Sequence, residues 1–188
     1  VHAVKGGKAD QHQLLKGLTS IQKWVDQLVG ASRIATRADF SLQYPTRRMD
    51  LARYIFEYLT SDVVDKTDRI KFEVANKAEL FEVMMRPIEI SILFDNLISN
   101  AEKARARHMR FSIETSGGTL TVRVANDGEK VPKSMVDSMF ELGISGRGGS
   151  GIGLYTCQEI VTGMGGEISF DGNDSTLGGA AFTITFHS

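Results

Sequence analysis

The sequence is poor in the residues that would announce a disulfide, metal or membrane protein: it has one cysteine, three prolines and one tryptophan among 188 residues. A lone cysteine, Cys157, excludes an internal disulfide framework and a cysteine-based zinc site, and it fits a reducing, cytoplasmic compartment. No stretch approaches the about 18 consecutive apolar residues of a membrane span, and the opening VHAVKGGKAD lacks the apolar core of a signal peptide. A soluble chain without membrane contact of its own is therefore expected. The sequence starts without methionine and almost inside a helical pattern, which reads as a piece of something longer, with any sensor or anchor upstream. Charge of one sign is also missing: the formal net charge is -1, which argues against a protein built to grip nucleic acid. Lys103, Arg105, Arg107 and Arg110 form a local cluster that reads either as the solvated end of a helix or as a patch beside bound phosphates.

What is present is ordinary globular composition, 41% hydrophobic and 24% charged, in a length that suits one well-buried domain with an appendage. Between Asp10 and Thr36, Leu14, Leu18, Ile21, Val25 and Leu28 alternate spacings of four and three, the seam of a coiled coil or helical bundle. Such a seam needs a partner, or else the helix folds onto its own domain. Arg37 to Thr46, ending in Tyr-Pro-Thr, reads as a linker. A short helix is expected over Met49 to Leu59, with strands at Arg69 to Ala75 and Leu80 to Met85. Pro87 then opens a long helix burying Ile88, Ile92, Leu93, Leu97 and Ile98. Strands Met109 to Glu114 and Leu120 to Ala125 flank a Ser-Gly-Gly turn. A short helix near Lys133 to Met139, a glycine-rich stretch, a helix from Gly151 to Gly163, and strands Glu167 to Asp171 and Ala181 to Phe186 follow. The pattern implies an α+β chain: a two-layer α/β sandwich with helices on one face of a mixed sheet, preceded by the long bundle-type helix.

Three segments carry chemistry. Asn96 and Asn100 lie one turn apart on the long helix, with Lys103 three residues on. Asparagine is a poor helix-interior residue, so the pair reads either as strand-capping amides or as a ligand site in which Asn100 offers a neutral oxygen to Mg²⁺. Asn126-Asp127-Gly128 ends a strand, and by itself is simply good turn chemistry. Arg147-Gly-Gly-Ser-Gly-Ile-Gly-Leu154 runs into a helix, where glycines let backbone N–H groups approach phosphate oxygens; a flexible loop is the alternative, and the lysine of a Walker-type loop is missing.

In order and spacing these segments resemble the catalytic ATP-binding domain of sensor histidine kinases, the Bergerat fold shared with gyrase B, a heat-shock chaperone and a mismatch-repair ATPase. Asp95-Asn96-Leu-Ile-Ser-Asn100-Ala resembles the N box, Phe140-Glu-Leu-Gly-Ile-Ser the F box, and Gly149 to Leu154 the G2 box. Gly165-Gly166-Glu167-Ile168 and Gly178-Gly179 match the family's closing segment. The resemblance implies that residues 47–188 are the ATP-binding domain and 1–46 the end of a dimerisation and phosphoacceptor region. It implies ATP and Mg²⁺ as ligands. Asn96, Asn100 and Lys103 would be catalytic, with Asn100 on the metal and Lys103 on a phosphate. Either Asn126 or Asp127 would read adenine beside Gly128. Met139 to Ser150 would be a lid anchored by Phe140, with Ser145 and Arg147 within reach of phosphates, and Gly149, Ser150, Gly151, Ile152, Gly153 and Leu154 would cradle them.

Two departures qualify the resemblance. The family's first Asp is Asn126 here, and its second glycine is Lys130. Asn96 stands where hydrolysing relatives place a Glu, and a neutral amide cannot take a proton from water. That favours phosphoryl transfer to a side chain over hydrolysis. The histidines in hand, His2, His12, His108 and His187, lack the acid and proline expected around an acceptor, so the acceptor is expected outside this chain. A response-regulator receiver domain and a second copy, paired through the N-terminal helix, are the implied partners. The competing readings are a nucleotide-binding scaffold without catalysis and a protein-serine kinase of the same superfamily.

Overall fold

The computed structural model describes residues 44–62, 69–144 and 150–188. The expected N-terminal bundle helix and most of the linker lie outside the described residues, as do Ser145, Arg147 and Gly149.

Strand β1 (Arg47–Asp50) pairs antiparallel with β3 (Glu82–Met85), from Arg47 opposite Met85 to Asp50 opposite Glu82. The helix expected from Met49 therefore begins later, as α1 (Leu51–Glu57), and continues as a π-helical turn over Tyr58–Asp62. Asp50 explains the delay: its carboxylate Oδ1 accepts the N–H of Arg53 at 3.2 Å, capping α1, and that of Phe81 at 3.2 Å, tying the cap to the segment before β3.

Helix α2 (Pro87–Lys103) starts on the proline whose fixed φ suits a first turn. Its buried stripe is Ile90, Leu93, Phe94, Leu97, Ile98 and Ala101, at the spacings of a face turned to a core. Ile88 and Ile92, expected in that stripe, are only half-buried, because the stripe is centred one residue round, on Ile90 and Phe94. Tyr54 donates to the Pro87 carbonyl at 3.1 Å, and Tyr58 donates to Asp95 Oδ1 at 2.5 Å, so α1 and the π turn hold the outer side of α2.

Five strands form the main sheet in the order β2-β4-β5-β7-β6: β2 (Lys71–Asn76), β4 (His108–Ser116), β5 (Thr119–Asn126), β7 (Ala180–His187) and β6 (Glu167–Asn173). β2 and β4 are parallel and the other pairs antiparallel, which makes the sheet mixed. Gly117 and Gly118, with φ of 56° and 77°, supply the two left-handed positions of a tight hairpin between β4 and β5.

Burial alternates along the central strands. Met109, Phe111 and Ile113 of β4, Leu120, Val122 and Val124 of β5, and Phe182, Ile184 and Phe186 of β7 are buried, while Arg110, Glu114 and Arg123 stay on the other, wetter face. Helices cover the apolar face: Phe94 of α2 meets Phe111 edge-on with ring centroids 6.2 Å apart. Each such ring, fully removed from water, contributes about 2–3 kcal/mol. Between β5 and β6 lie α3 (Lys133–Val136), shorter than expected, and α4 (Gly153–Gly163). α4 starts two residues later than expected because Gly151 has a φ of 69°, outside the helical region. It ends in paired bonds from Gly166 N–H to the Val161 carbonyl (2.9 Å) and from Gly165 N–H to that of Thr162 (3.0 Å), with Gly165 at a φ of 75°, the Schellman stop that the Gly-Gly pair permits.

Candidate functional site

The C-terminal half of α2, the end of β5, the start of α4 and the start of β7 surround a cavity of about 430 Å³. From α2 come Leu97, Asn100, Lys103 and Ala104; from β5, Asn126; from the stretch leading into α4, Ser150, Gly151, Gly153 and Leu154. Sequence reasoning had singled out most of these. Lys130, noted only as a replaced glycine, lines the cavity too, and the sequence reading missed its neighbours Glu129 and Val131 and the apolar surface of Met135 and Phe182. Only their place after the Asn-Asp-Gly turn could have pointed to Glu129 and Val131.

Asn126 and Asp127, the pair that sequence left unresolved, are separated cleanly. Asn126 is buried, with 5% of its surface exposed. Its side-chain Oδ1 accepts the Gly128 N–H at 2.9 Å, and its carbonyl accepts the Gly179 N–H at 3.0 Å. The two glycines are required by this arrangement. A Cβ on Gly179 would stand 2.5 Å from Asn126 Oδ1, and one on Gly128 would stand 2.8 Å from the Ala104 carbonyl. Of the two residues either of which was expected to read adenine, Asn126 lines the cavity and Asp127 does not. The Oδ1 of Asp127 accepts the N–H groups of Arg107 (2.7 Å) and His108 (2.8 Å), and its Oδ2 lies 2.9 Å from His108 Nδ1. The carboxylate thus fastens the end of β5 to the start of β4. Desolvation pushes its pKa up, but the backbone and side chain of His108 and the backbone of Arg107 outweigh it, and the net shift is downward.

A second carboxylate, Asp174, was not foreseen as structural. Only 3% of its side chain is exposed. Oδ2 accepts from Arg123 Nη2 at 2.8 Å, while Oδ1 accepts from the Thr176 N–H (2.9 Å), the Thr176 hydroxyl (2.6 Å) and the Leu177 N–H (2.7 Å). The Thr176 hydroxyl and the neighbouring backbone N–H groups hold its pKa far below the usual carboxylate range, against the opposing cost of burial. Asn173 beside it accepts the Val131 N–H at 3.2 Å. The loop between β6 and β7 is thereby closed over the Asn126 turn. Asn173-Asp174 between two strands was the available signal, readable as turn chemistry but not as a buried anchor.

The opposite wall is built differently. Asn96 and Asn100 both carry a buried side-chain Nδ2 with no hydrogen-bond partner. The oxygen of each lies 3.6 Å from where a Cβ on Gly153 would stand, so the two amides abut the first residue of α4. Asn96 sits behind the wall; Asn100 is on it. No side chain caps α4, whose N-cap is Ile152, which leaves its first N–H groups available to a ligand. Ile152 and Phe140 are not on the wall. Phe140 packs edge-on against Phe182, with ring centroids 6.4 Å apart, and anchors its segment as expected. The backbones of Gly143 and Gly151 cross closely: Gly143 N–H donates to the Gly151 carbonyl at 3.0 Å, and a Cβ on Gly151 would come within 2.3 Å of Gly143. Lys103 and Lys130 bring two ammonium groups to the cavity, against the Glu129 carboxylate, which lies 3.6 Å from the exposed Arg105.

Residues 85–188, more than half of the chain, match the family of histidine kinase-, DNA gyrase B- and HSP90-like ATPases. The chain belongs to this family. Among curated proteins, it is 34% identical over 106 residues to the sensor histidine kinase DpiB of Escherichia coli, covering 51% of this chain and 19% of that protein. The sensor protein RstB of the same organism is 24% identical over 186 residues, covering 95% of this chain and 41% of that protein. The chain thus spans about a fifth to two fifths of the length of these relatives. Among solved structures, the ATP-binding domain of PrrB from Mycobacterium tuberculosis superposes with a TM-score of 0.63 at 18% identity, covering 76% of this chain and 97% of that one. That likeness is one of fold. An ATPase-family domain explains why a cavity of this size is bordered by an uncapped helix N-terminus and two lysines: both favour an anionic ligand.

Proposed function

We propose that this chain is the ATP-binding catalytic module of a two-component sensor histidine kinase. The γ-phosphoryl group of ATP would pass to a histidine outside this chain, and from there to an aspartate of a response-regulator receiver domain. In this reading residues 47–188 are the catalytic domain. Residues 1–46 belong to a helical region through which two copies pair, on the cytoplasmic side of a longer, membrane-anchored sensor. The observation that carries the reading is the pair of buried, unpartnered amide nitrogens of Asn96 and Asn100, set against the uncapped start of α4. An orphaned buried donor costs about 1–3 kcal/mol, a cost that a bound ligand can offset.

The same amides test the fit of Mg²⁺. Asn100 presents a neutral carboxamide at the cavity wall, the kind of oxygen donor that a hard cation takes singly beside its waters and nucleotide phosphates. It would hold the ion, with Asn96 behind it. Bound there, Mg²⁺ would neutralise charge on the phosphate oxygens. The protein's own share of the work is positioning. Lys103 and the first N–H groups of α4 would face the phosphates, and with Ser150 and Gly151 they would stabilise charge on the transferring group. Ser145, Arg147 and Gly149 would join them from the lid. Asn126 and Gly128 would hold the base on the Met139 and Phe182 side. With Asn96 in place of a carboxylate, no general base faces the phosphates from α2, so water is not activated there and transfer to an imidazole nitrogen is favoured.

Calorimetric titration of the chain with ATP, with and without Mg²⁺, tests this reading. Magnesium-dependent binding that is lost in Asn100→Ala is the expected result. ATP binding that ignores both magnesium and Asn100 would remove the kinase reading. Asn126 and Lys130, in place of the family's Asp and glycine, support a second reading, a nucleotide-binding module without catalysis. It predicts binding by this titration but no phosphoryl transfer in the full-length protein.

A further inference from the structure

The orientation of the Asn126 carboxamide can be read without ambiguity, because a backbone N–H can only donate. The terminus that meets Gly128 N–H at 2.9 Å is therefore the oxygen. That oxygen is wedged between two glycine backbones, 3.0 Å from where a Cβ on Gly128 would stand and 2.5 Å from where one on Gly179 would stand. The amide nitrogen is the other end. It donates to no described residue, yet it is not among the fully buried unpartnered nitrogens, and Asn126, 5% exposed, lines the cavity. Met139, Phe182 and Leu97 line the same cavity, an apolar setting suited to a flat heterocycle. The base end of the site thus presents an N–H donor where a carboxylate would present only acceptors.

An exocyclic amino group on the base brings hydrogens of its own and meets such a donor badly. A carbonyl oxygen at the same ring position meets it well. We infer that Asn126 is the specificity-determining residue of the base site and opens it to 6-oxopurine nucleotides, which this chain binds comparably with ATP. The inference rests on the nucleotide-site reading and deepens it. Asp127 cannot restore selectivity for the amino group, since both of its oxygens are engaged by Arg107 and His108 on the far side of the turn. The Gly128 N–H bond that orients the amide would persist with a carboxylate, so Asn126→Asp changes the chemistry of the free end while keeping the fold of the turn.

The experiment is a calorimetric titration of the 188-residue chain and its Asn126→Asp variant with the magnesium complexes of ATP, ITP and GTP. ITP differs from ATP at the six position and lacks the 2-amino group of guanine, so it isolates the contact in question. The expected result is a dissociation constant for ITP within about tenfold of that for ATP in the natural sequence, with Asn126→Asp moving the ratio toward ATP by about tenfold or more, the equivalent of one hydrogen bond. ATP bound normally with ITP rejected by about a hundredfold, or a ratio unmoved in Asn126→Asp, would overturn the inference and leave the nucleotide site standing. Binding of none of the three would overturn the nucleotide site itself, and this inference with it.

Discussion

The two walls of the cavity are satisfied to very different degrees. On the β5 side, the turn after Asn126 is held by side-chain and backbone bonds to Gly128, Gly179, Arg107 and His108, and the overlying loop is locked by the four bonds to Asp174. On the α2 side, Asn96 and Asn100 each keep a buried nitrogen without a partner, and α4 begins with no side-chain cap. Apart from the Asn126 amide nitrogen, the first wall is complete in the protein alone. The second is one that a ligand completes. Binding free energy is best used where the protein has left groups unpaired, so the β5 wall should govern stability and the α2 wall should govern affinity.

The sharpest break in that division comes from Gly179→Ala. The new methyl would meet Asn126 Oδ1 at 2.5 Å, with the Asn126 carbonyl and Gly128 nitrogen at 2.6 Å. None of these groups is a flexible chain end that can swing away. Urea denaturation should show a loss of about 3 kcal/mol, and ATP binding should fall with it because the displaced residue is on the cavity wall. Unchanged stability would mean that the β5 wall is less tightly built than its bonds suggest.

Asp174→Asn comes next. Its Oδ1 could still take some of the three local donors, but the pairing with Arg123 and the charge-assisted strength would be lost, about 2 kcal/mol. The sign of the pH dependence follows from the depressed pKa of Asp174. A group whose pKa is lower when folded contributes in full above its unfolded value, about 3.9, and that contribution is lost as pH falls toward the folded value. Denaturation midpoints of the natural sequence should therefore drop below about pH 4, and those of Asp174→Asn should drop less steeply. Asp127→Asn weakens a more exposed clasp and should cost about 1 kcal/mol, with the same sign in acid and with ATP affinity unchanged, since Asp127 is not on the wall.

How much of this was legible in the sequence follows the same division. The amides of α2 and the glycines before α4 announced themselves, because asparagine in a helix interior and clustered glycine run against local propensity. The strands of the main sheet were legible from their period of two. The bonded wall was not. Asp174 and Gly179 are distant from Asn126 in sequence, and only the pairing of β5 with β7 brings them beside it. For the same reason Asn126 and Asp127 could not be told apart: adjacent residues at a strand end point to opposite sides, and which side is the cavity is a tertiary fact. Met49 and Asp50 of β1 were read as the start of a helix because their partner strand begins thirty-odd residues later, beyond any local pattern.

The smallest expected change in stability belongs to Asn100→Ala, and it is the one that tests the other wall. Asn100 has a buried nitrogen that bonds nothing, so removing the carboxamide also removes an unpaid desolvation cost. That gain offsets part of the packing lost with the side chain. The net effect on urea denaturation without nucleotide should be under about 1 kcal/mol. With Mg-ATP present the comparison should reverse. The natural sequence gains stability in proportion to the logarithm of ligand concentration over its dissociation constant, and Asn100→Ala should gain little. A variant that is strongly destabilised without nucleotide, yet still gains as much from Mg-ATP as the natural sequence, would show that Asn100 belongs to the structural wall after all.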